Sequence, residues 1–213
     1  MMQHRFSRNP QLSPSARARR RVAGRMAGWS LACAAAVFAA AAVPPVPAFA
    51  QSGSSQALER RVKAAFLFKF LGYADFPAAA FADSAAPVTI GVIGSDEMAA
   101  ELGRVVAGRQ VRGRPIVVRA LREGEPGQVH LLFVAGADNA RAARVLRTAS
   151  TDAAALLAVT ECEQGLQAGS VINFRIIEER VRFDVSLDSA ERNNVKLSSR
   201  LLTVANRVVK GTS

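Results

Sequence analysis

Three runs of apolar residues leave this chain few folds to choose from. Val88 to Ile93, Val129 to Val134 and Leu156 to Thr160 are strand-length, and none contains a formally charged side chain. Strands with one wet face alternate apolar with polar residues; strands apolar throughout are buried on both faces, as in parallel sheets covered by helices. The intervening segments supply those helices. Ser95 or Asp96 caps one that runs to about Ala107 and ends at Gly108, and Asp138 with Asn139 caps another to about Ala149. Arg114 to Leu121 reads as a further strand. Val171 to Ile177 and Arg180 to Leu187, around the polar pair Glu178-Glu179, read as a hairpin, although Glu-Glu is a poor pair for a primed turn. Asp188-Ser189-Ala190-Glu191 then resembles an acidic capping box and opens a last helix. Leu197, Leu201, Leu202, Val204, Ala205 and Val208 supply its apolar face, and Gly211 follows its end. The expected fold is therefore α/β: a mostly parallel sheet of about five to six strands flanked by helices on both faces, with a C-terminal β-hairpin and helix.

The first 50 residues have a different character. Seven arginines from Arg5 to Arg25 precede an apolar run from Trp29 to Val43, and Ala48-Phe49-Ala50 follows. Basic, apolar and small-residue regions in that order make a secretory signal, with cleavage expected after Ala50. The apolar run is 15 residues long and is stopped by Pro44, Pro45 and Pro47, whereas a bilayer span needs about 20. Because those seven arginines are balanced by no carboxylate, the net charge drops from +11 for the whole chain to +4 after residue 50. That is ordinary for one domain and gives no footprint for nucleic acid. Residues 51–55 read as a flexible leader and 56–213 as a single domain. Cys162 is the one cysteine after residue 50, so an internal disulfide is excluded and the thiol is either buried or engaged in an intermolecular bond.

The helix expected from Gln56 to Phe76 carries Val62, Phe66, Phe70 and Tyr73 on one stripe, while Leu67, Phe68 and Leu71 fill much of the rest. A helix apolar around most of its circumference is either sandwiched within the fold or shared with a second protein. Phe66, Phe70, Tyr73 and Phe76 are accordingly candidate partner contacts, with a place in the core as the competing role. Lys63 and Lys69 in that helix either snorkel to the surface or pair with a carboxylate.

The residues offer little chemistry. His130 is the one histidine after residue 50 and sits inside an apolar strand, where a packed residue is expected rather than a general base. No nucleophile-elbow pattern surrounds a serine. Glu161-Cys162-Glu163 is thin material for a metal, and Gly91 to Asp96 lacks the spacing of a dinucleotide or phosphate loop. Arg104, Arg109, Arg112, Arg114, Arg119 and Arg122 cluster in sequence as a candidate positive face without interleaved aromatics. No catalytic residue, cofactor or metal is expected, and specific function is expected to lie in binding.

Three stretches together resemble the YfiR family of periplasmic regulators. They are Val62-Lys63-Ala64-Ala65-Phe66-Leu67-Phe68-Lys69-Phe70, continuing through Tyr73 to Phe76-Pro77; Val129 to Val134; and Ile172-Asn173-Phe174 with Val181-Arg182-Phe183, Ala190 and Lys196 to Leu202. The resemblance covers nearly all of residues 56–208. It implies a compact α/β domain, often dimeric, that works in the periplasm without catalysis. By this resemblance the partner would be an inner-membrane diguanylate cyclase, bound through its periplasmic domain and held inactive, with lower cyclic di-GMP as the result. Family members commonly carry paired cysteines, one of them just before the central-strand histidine, where this chain has Val129; redox control through an internal disulfide does not carry over. The alternative function is a small-molecule-binding sensory module for a membrane histidine kinase or transporter, with its ligand in a crevice at the strand ends.

Overall fold

The computed structural model describes residues 49–125 and 127–211. The expected signal segment lies outside them up to residue 48. The first element is α1 (Phe49–Tyr73), so residues 51–55, expected as a flexible leader, lie within its first turns. It ends three residues before Phe76 because the chain leaves it as β1 (Ala74–Asp75), which pairs antiparallel with β9 (Lys196–Leu197).

A short 3₁₀ turn (Ala78–Ala80) leads to β2 (Val88–Ile93), α2 (Asp96–Val106), β3 (Gln110–Val111), β4 (Arg114–Leu121) and β5 (Leu131–Val134). Then come α3 (Asn139–Asp152), β6 (Leu157–Thr160), β7 (Ile172–Ile177), β8 (Arg180–Ser186), α4 (Leu187–Arg192), β9, α5 (Ser199–Val204) and β10 (Arg207–Val209). The helix starts follow the expected chemistry: the Ser95 hydroxyl accepts from the Met98 amide and the Asp138 carboxylate from the Arg141 amide.

Eight strands form one sheet in the order β10-β8-β7-β6-β5-β2-β4-β3. Five neighbouring pairs are parallel, while β7–β8 and β3–β4 are antiparallel. The sheet is thus mixed and wider than the five to six strands expected. The added edge strands, β3 and β10, have 2 and 3 residues, too short to impose a period-2 pattern on the sequence.

The central strands are covered on both faces. Ile90, Val92, Leu131 and Phe133 share the face toward α1 and α2, and Gly91, Ile93, Leu132 and Val134 the face toward α3, as the pleat requires. A Cβ on Gly91 would stand 2.6 Å from Leu121 Cδ1 and 3.0 Å from Val129 Cγ1, so glycine there leaves room for those two side chains to pack over β2. β4 differs: its burial alternates and Val117 is 42% exposed, the mark of a strand with one face open.

The C-terminus departs most from expectation. In place of one long helix, α4 has 6 residues and is capped by Ser186, whose hydroxyl accepts from the Ser189 amide. Asn194, at φ 54°, turns the chain back. The pairings β9–β1 and β10–β8 then replace helical turns with tertiary hydrogen bonds. Leu201 is buried, but Val204 is 61% exposed. The β7–β8 hairpin is present as expected, and Glu178 and Glu179 adopt φ of 49° and 59°, so a glutamate pair occupies the left-handed positions of a primed turn.

Candidate functional site

The four aromatic candidates separate into two places. Phe70 is 1% exposed and packs its ring 5.0 Å from Phe183 and 5.7 Å from Phe174. It is core. Phe66, one turn earlier, is half-buried at the margin of the same cluster, 5.6 Å from Phe183. Tyr73 is also half-buried, and its carbonyl accepts from the Ser198 amide. Phe76 lies in a second cluster, 5.7 Å from the His130 ring and 6.4 Å from Phe81. The apolar girdle of α1 is largely used inside the fold: Ala64, Leu67, Phe70 and Leu71 are buried, and the Arg109 guanidinium covers Phe68 at 4.9 Å. Its uncovered remainder is the earlier part, where Leu58 is 63% exposed.

At the carboxyl ends of the parallel strands a buried charge cluster ties α1 to the sheet. Lys63 is 6% exposed; its Nζ donates to Glu161 Oε2 at 2.6 Å and to Glu59 one turn away. Burial alone would lower the lysine pKa, but Glu161 and Glu59 together outweigh it and hold the pKa above the ordinary value. The other Glu161 oxygen accepts from the Gly136 amide at 2.7 Å. These residues line a cleft of about 190 Å³ together with Arg60, Ser95 and Ala135. It opens where β2 and β5 lie side by side and their following helices diverge to opposite faces, the switch point at which α/β sheets place ligands. Of the two roles expected for Lys63, pairing with a carboxylate is the one found; the sequence named no partner, although the i, i+4 spacing of Glu59 was a local signal for one, whereas Glu161, 98 residues away, left none. Gly91 to Asp96 is an ordinary strand-to-helix turn in which the Ser95 hydroxyl accepts from the Met98 amide at 3.1 Å.

His130 holds the 76–87 segment to the sheet. The Thr89 amide donates to Nδ1 at 3.0 Å, and since an amide only donates, the ring proton sits on Nε2, 3.0 Å from the Ala80 carbonyl. Phe81 stacks on the ring at 4.4 Å, and the Arg114 guanidinium lies 3.9 Å from the Phe81 centroid. Burial, assisted by the nearby Arg114 charge, pushes the imidazole pKa below its ordinary value although the Ala80 carbonyl raises it. With both ring nitrogens engaged, His130 has a packing role.

Cys162 is 1% exposed, and burial pushes its thiol pKa up, which places it as a buried thiol and leaves an intermolecular bond no exposed sulfur. Asn173 finds the partners its burial demands: Thr160 donates to its oxygen at 2.8 Å and its amide donates to the Cys162 carbonyl at 3.0 Å. Three of the six clustered arginines are engaged within the fold. Arg104 pairs with Glu101, Arg112 with Asp75, and Arg114 donates to the Asp83 and Ala86 carbonyls. Among the described residues no group of three or more His, Cys, Asp or Glu is placed to hold a metal ion.

Fold and site together define a small mixed α/β module whose buried polar groups are committed to holding its layers in register. The chain belongs to the YfiR/HmsC-like family, whose model matches residues 60–206, from the middle of α1 to the residue before β10. That family is regulatory rather than catalytic and points to a periplasmic regulator of cyclic di-GMP signalling. A comparison with curated proteins returns no match. Among the described residues no helix is long and apolar enough to cross a membrane.

Proposed function

We propose that this protein is exported to the periplasm, is processed after Ala50, and represses an inner-membrane diguanylate cyclase by binding its periplasmic domain, so that cyclic di-GMP falls. The family match over residues 60–206 carries this reading. It is supported by polar side chains that serve the fold and by apolar side chains left open on α1 and the hairpin. The protein acts as a homodimer in this reading, which light scattering on the purified protein tests. Deleting the gene should raise cyclic di-GMP and biofilm mass; unchanged levels in a strain that expresses the protein would refute the proposal. Intact-mass analysis of periplasmic protein checks processing, with a chain beginning at Gln51 as the expected form.

A second reading, a small-molecule sensory module for a membrane kinase or transporter, is favoured by the cleft at the switch point. There the Arg60 guanidinium lines the cleft, with its charge also reaching the Glu97 carboxylate at the start of α2. Thermal stabilisation of the protein by a ligand and its loss in Arg60→Ala would support that reading; a ligand screen with no shift would count against it.

A further inference from the structure

A wider groove lies elsewhere among the described residues. Between the first half of α1 and the tip of the hairpin runs a groove of about 920 Å³, floored by Leu58, Val62 and Phe66 of α1 and by Ile176 and Val181 of the hairpin. Leu58 is 63% exposed and Ile176 52%. Uncovered large apolar side chains grouped in one groove mark an interaction site.

Two further features say what fits there. The first is an open strand edge. β10 pairs with β8 only at Asp184, Val185 and Ser186, so among the described residues no strand covers Arg180 to Arg182 on that side, and an incoming strand would continue the line of β10. The second is charge. Arg182 stands directly across from Arg175 in the β7–β8 register, an arrangement that is unfavourable between like charges. Arg175 donates to the Glu163 carbonyl, while Arg180 and Arg182 carry no ion pair among the described residues. Of the carboxylates lining the groove, Glu59 is already held by Lys63, which leaves Glu179 at the turn.

We infer that the groove between α1 and β8 is the docking site for an extended, acidic and apolar segment of the membrane partner. The segment adds a strand to the open edge of β8, its apolar side chains enter against Leu58, Phe66 and Ile176, and its carboxylates meet Arg180 and Arg182 in bidentate pairs. Edge pairing supplies affinity with little sequence demand, and the arginines select acidic residues and speed association. This inference rests on the proposed function, since it takes the partner to be a membrane protein.

The test uses protein purified from the periplasm after expression of the full gene, as bait for detergent-solubilised inner membrane. The wild type is compared with Arg180→Glu/Arg182→Glu and with Leu58→Glu, all exposed positions, each checked for an unchanged unfolding midpoint. The expected result is a diguanylate cyclase captured by wild type and reduced at least tenfold in both variants, with capture by wild type weakening as salt rises. Equal capture by wild type and variants overturns the docking site while sparing the proposed function. Capture of no cyclase by wild type overturns the function itself and the inference with it. Two other outcomes also overturn the docking site: loss of binding to phosphatidylglycerol vesicles in the charge-reversal variant without loss of the cyclase, which assigns the arginines to a lipid surface, and conversion of a wild-type dimer to monomer by Leu58→Glu, which assigns the groove to a second copy of the chain.

Discussion

Lys63 on α1 and Glu161 at the end of β6 are joined at 2.6 Å across 98 residues of sequence, and this bond fastens the helix that closes the fold to the carboxyl edge of its sheet. Lys63→Met removes the ammonium and leaves two carboxylates facing each other. A fully buried pair broken this way loses about 3–5 kcal/mol; Glu161 retains 21% exposure of its side chain and the Gly136 amide, so about 2 kcal/mol is expected. Because the partners raise the Lys63 pKa above 10.5, this contribution is complete below that value and fades only as pH rises through the folded pKa. Urea unfolding at pH 7 measures the loss, and a change under about 0.5 kcal/mol would show the pair to be a bystander.

His130 makes stability fall in mild acid. Its folded pKa lies below the ordinary 6.5, so between those two values the unfolded chain binds a proton that the folded chain refuses, and stability drops as pH falls through that window. Above about pH 7 the effect is absent. In the processed form proposed above, a chain beginning at Gln51, His130 is the one histidine, so urea midpoints at pH 7.5 and 5.5, alongside the imidazole proton resonances, read this group. A ring that titrates at or above 6.5 in the folded protein contradicts the assignment.

Gly165→Ala should destabilise strongly, by about 3 kcal/mol. An added Cβ would overlap both the Thr160 hydroxyl and the Asn173 side-chain oxygen, breaking the bonds that satisfy buried Asn173. Gly72→Ala is the control of opposite sign: it lies in α1 with open space around it, and alanine there should stabilise by up to about 1 kcal/mol. Thermal unfolding of the pair checks the contrast.

The Glu178-Glu179 turn holds two non-glycine residues at positive φ, each strained by roughly 1 kcal/mol. Replacing the pair by Asn-Gly should raise stability by about 1 kcal/mol and leave the β7–β8 register unchanged. A loss of stability in urea titration would mean that the glutamates make contacts worth more than the strain.

The central strands β2, β5 and β6 and the starts of α2 and α3 were legible because their signals are local. An uninterrupted apolar run has one comfortable environment, and Ser95 and Asp138 cap amides three residues away. The hairpin was legible for the same reason, from two strand-like runs around a polar pair. Phe70 was not separable from Phe66: both sit on the apolar stripe of α1, and only the positions of Phe174 and Phe183, more than a hundred residues on, bury one and leave the other at a margin.

By itself the sequence determined the class of fold, the family and the scarcity of catalytic groups, since each rests on residue types and their short-range order. Only the tertiary structure decided that residues 187–209 divide into two short helices, α4 and α5, alternating with β9 and β10, that Lys63 belongs to Glu161, and that Leu58, Ile176 and the open edge of β8 face one groove. Those are partnerships between segments far apart in the chain. Helical periodicity near the C-terminus is a weak local preference, and hydrogen bonds offered by strands already in place outweigh it.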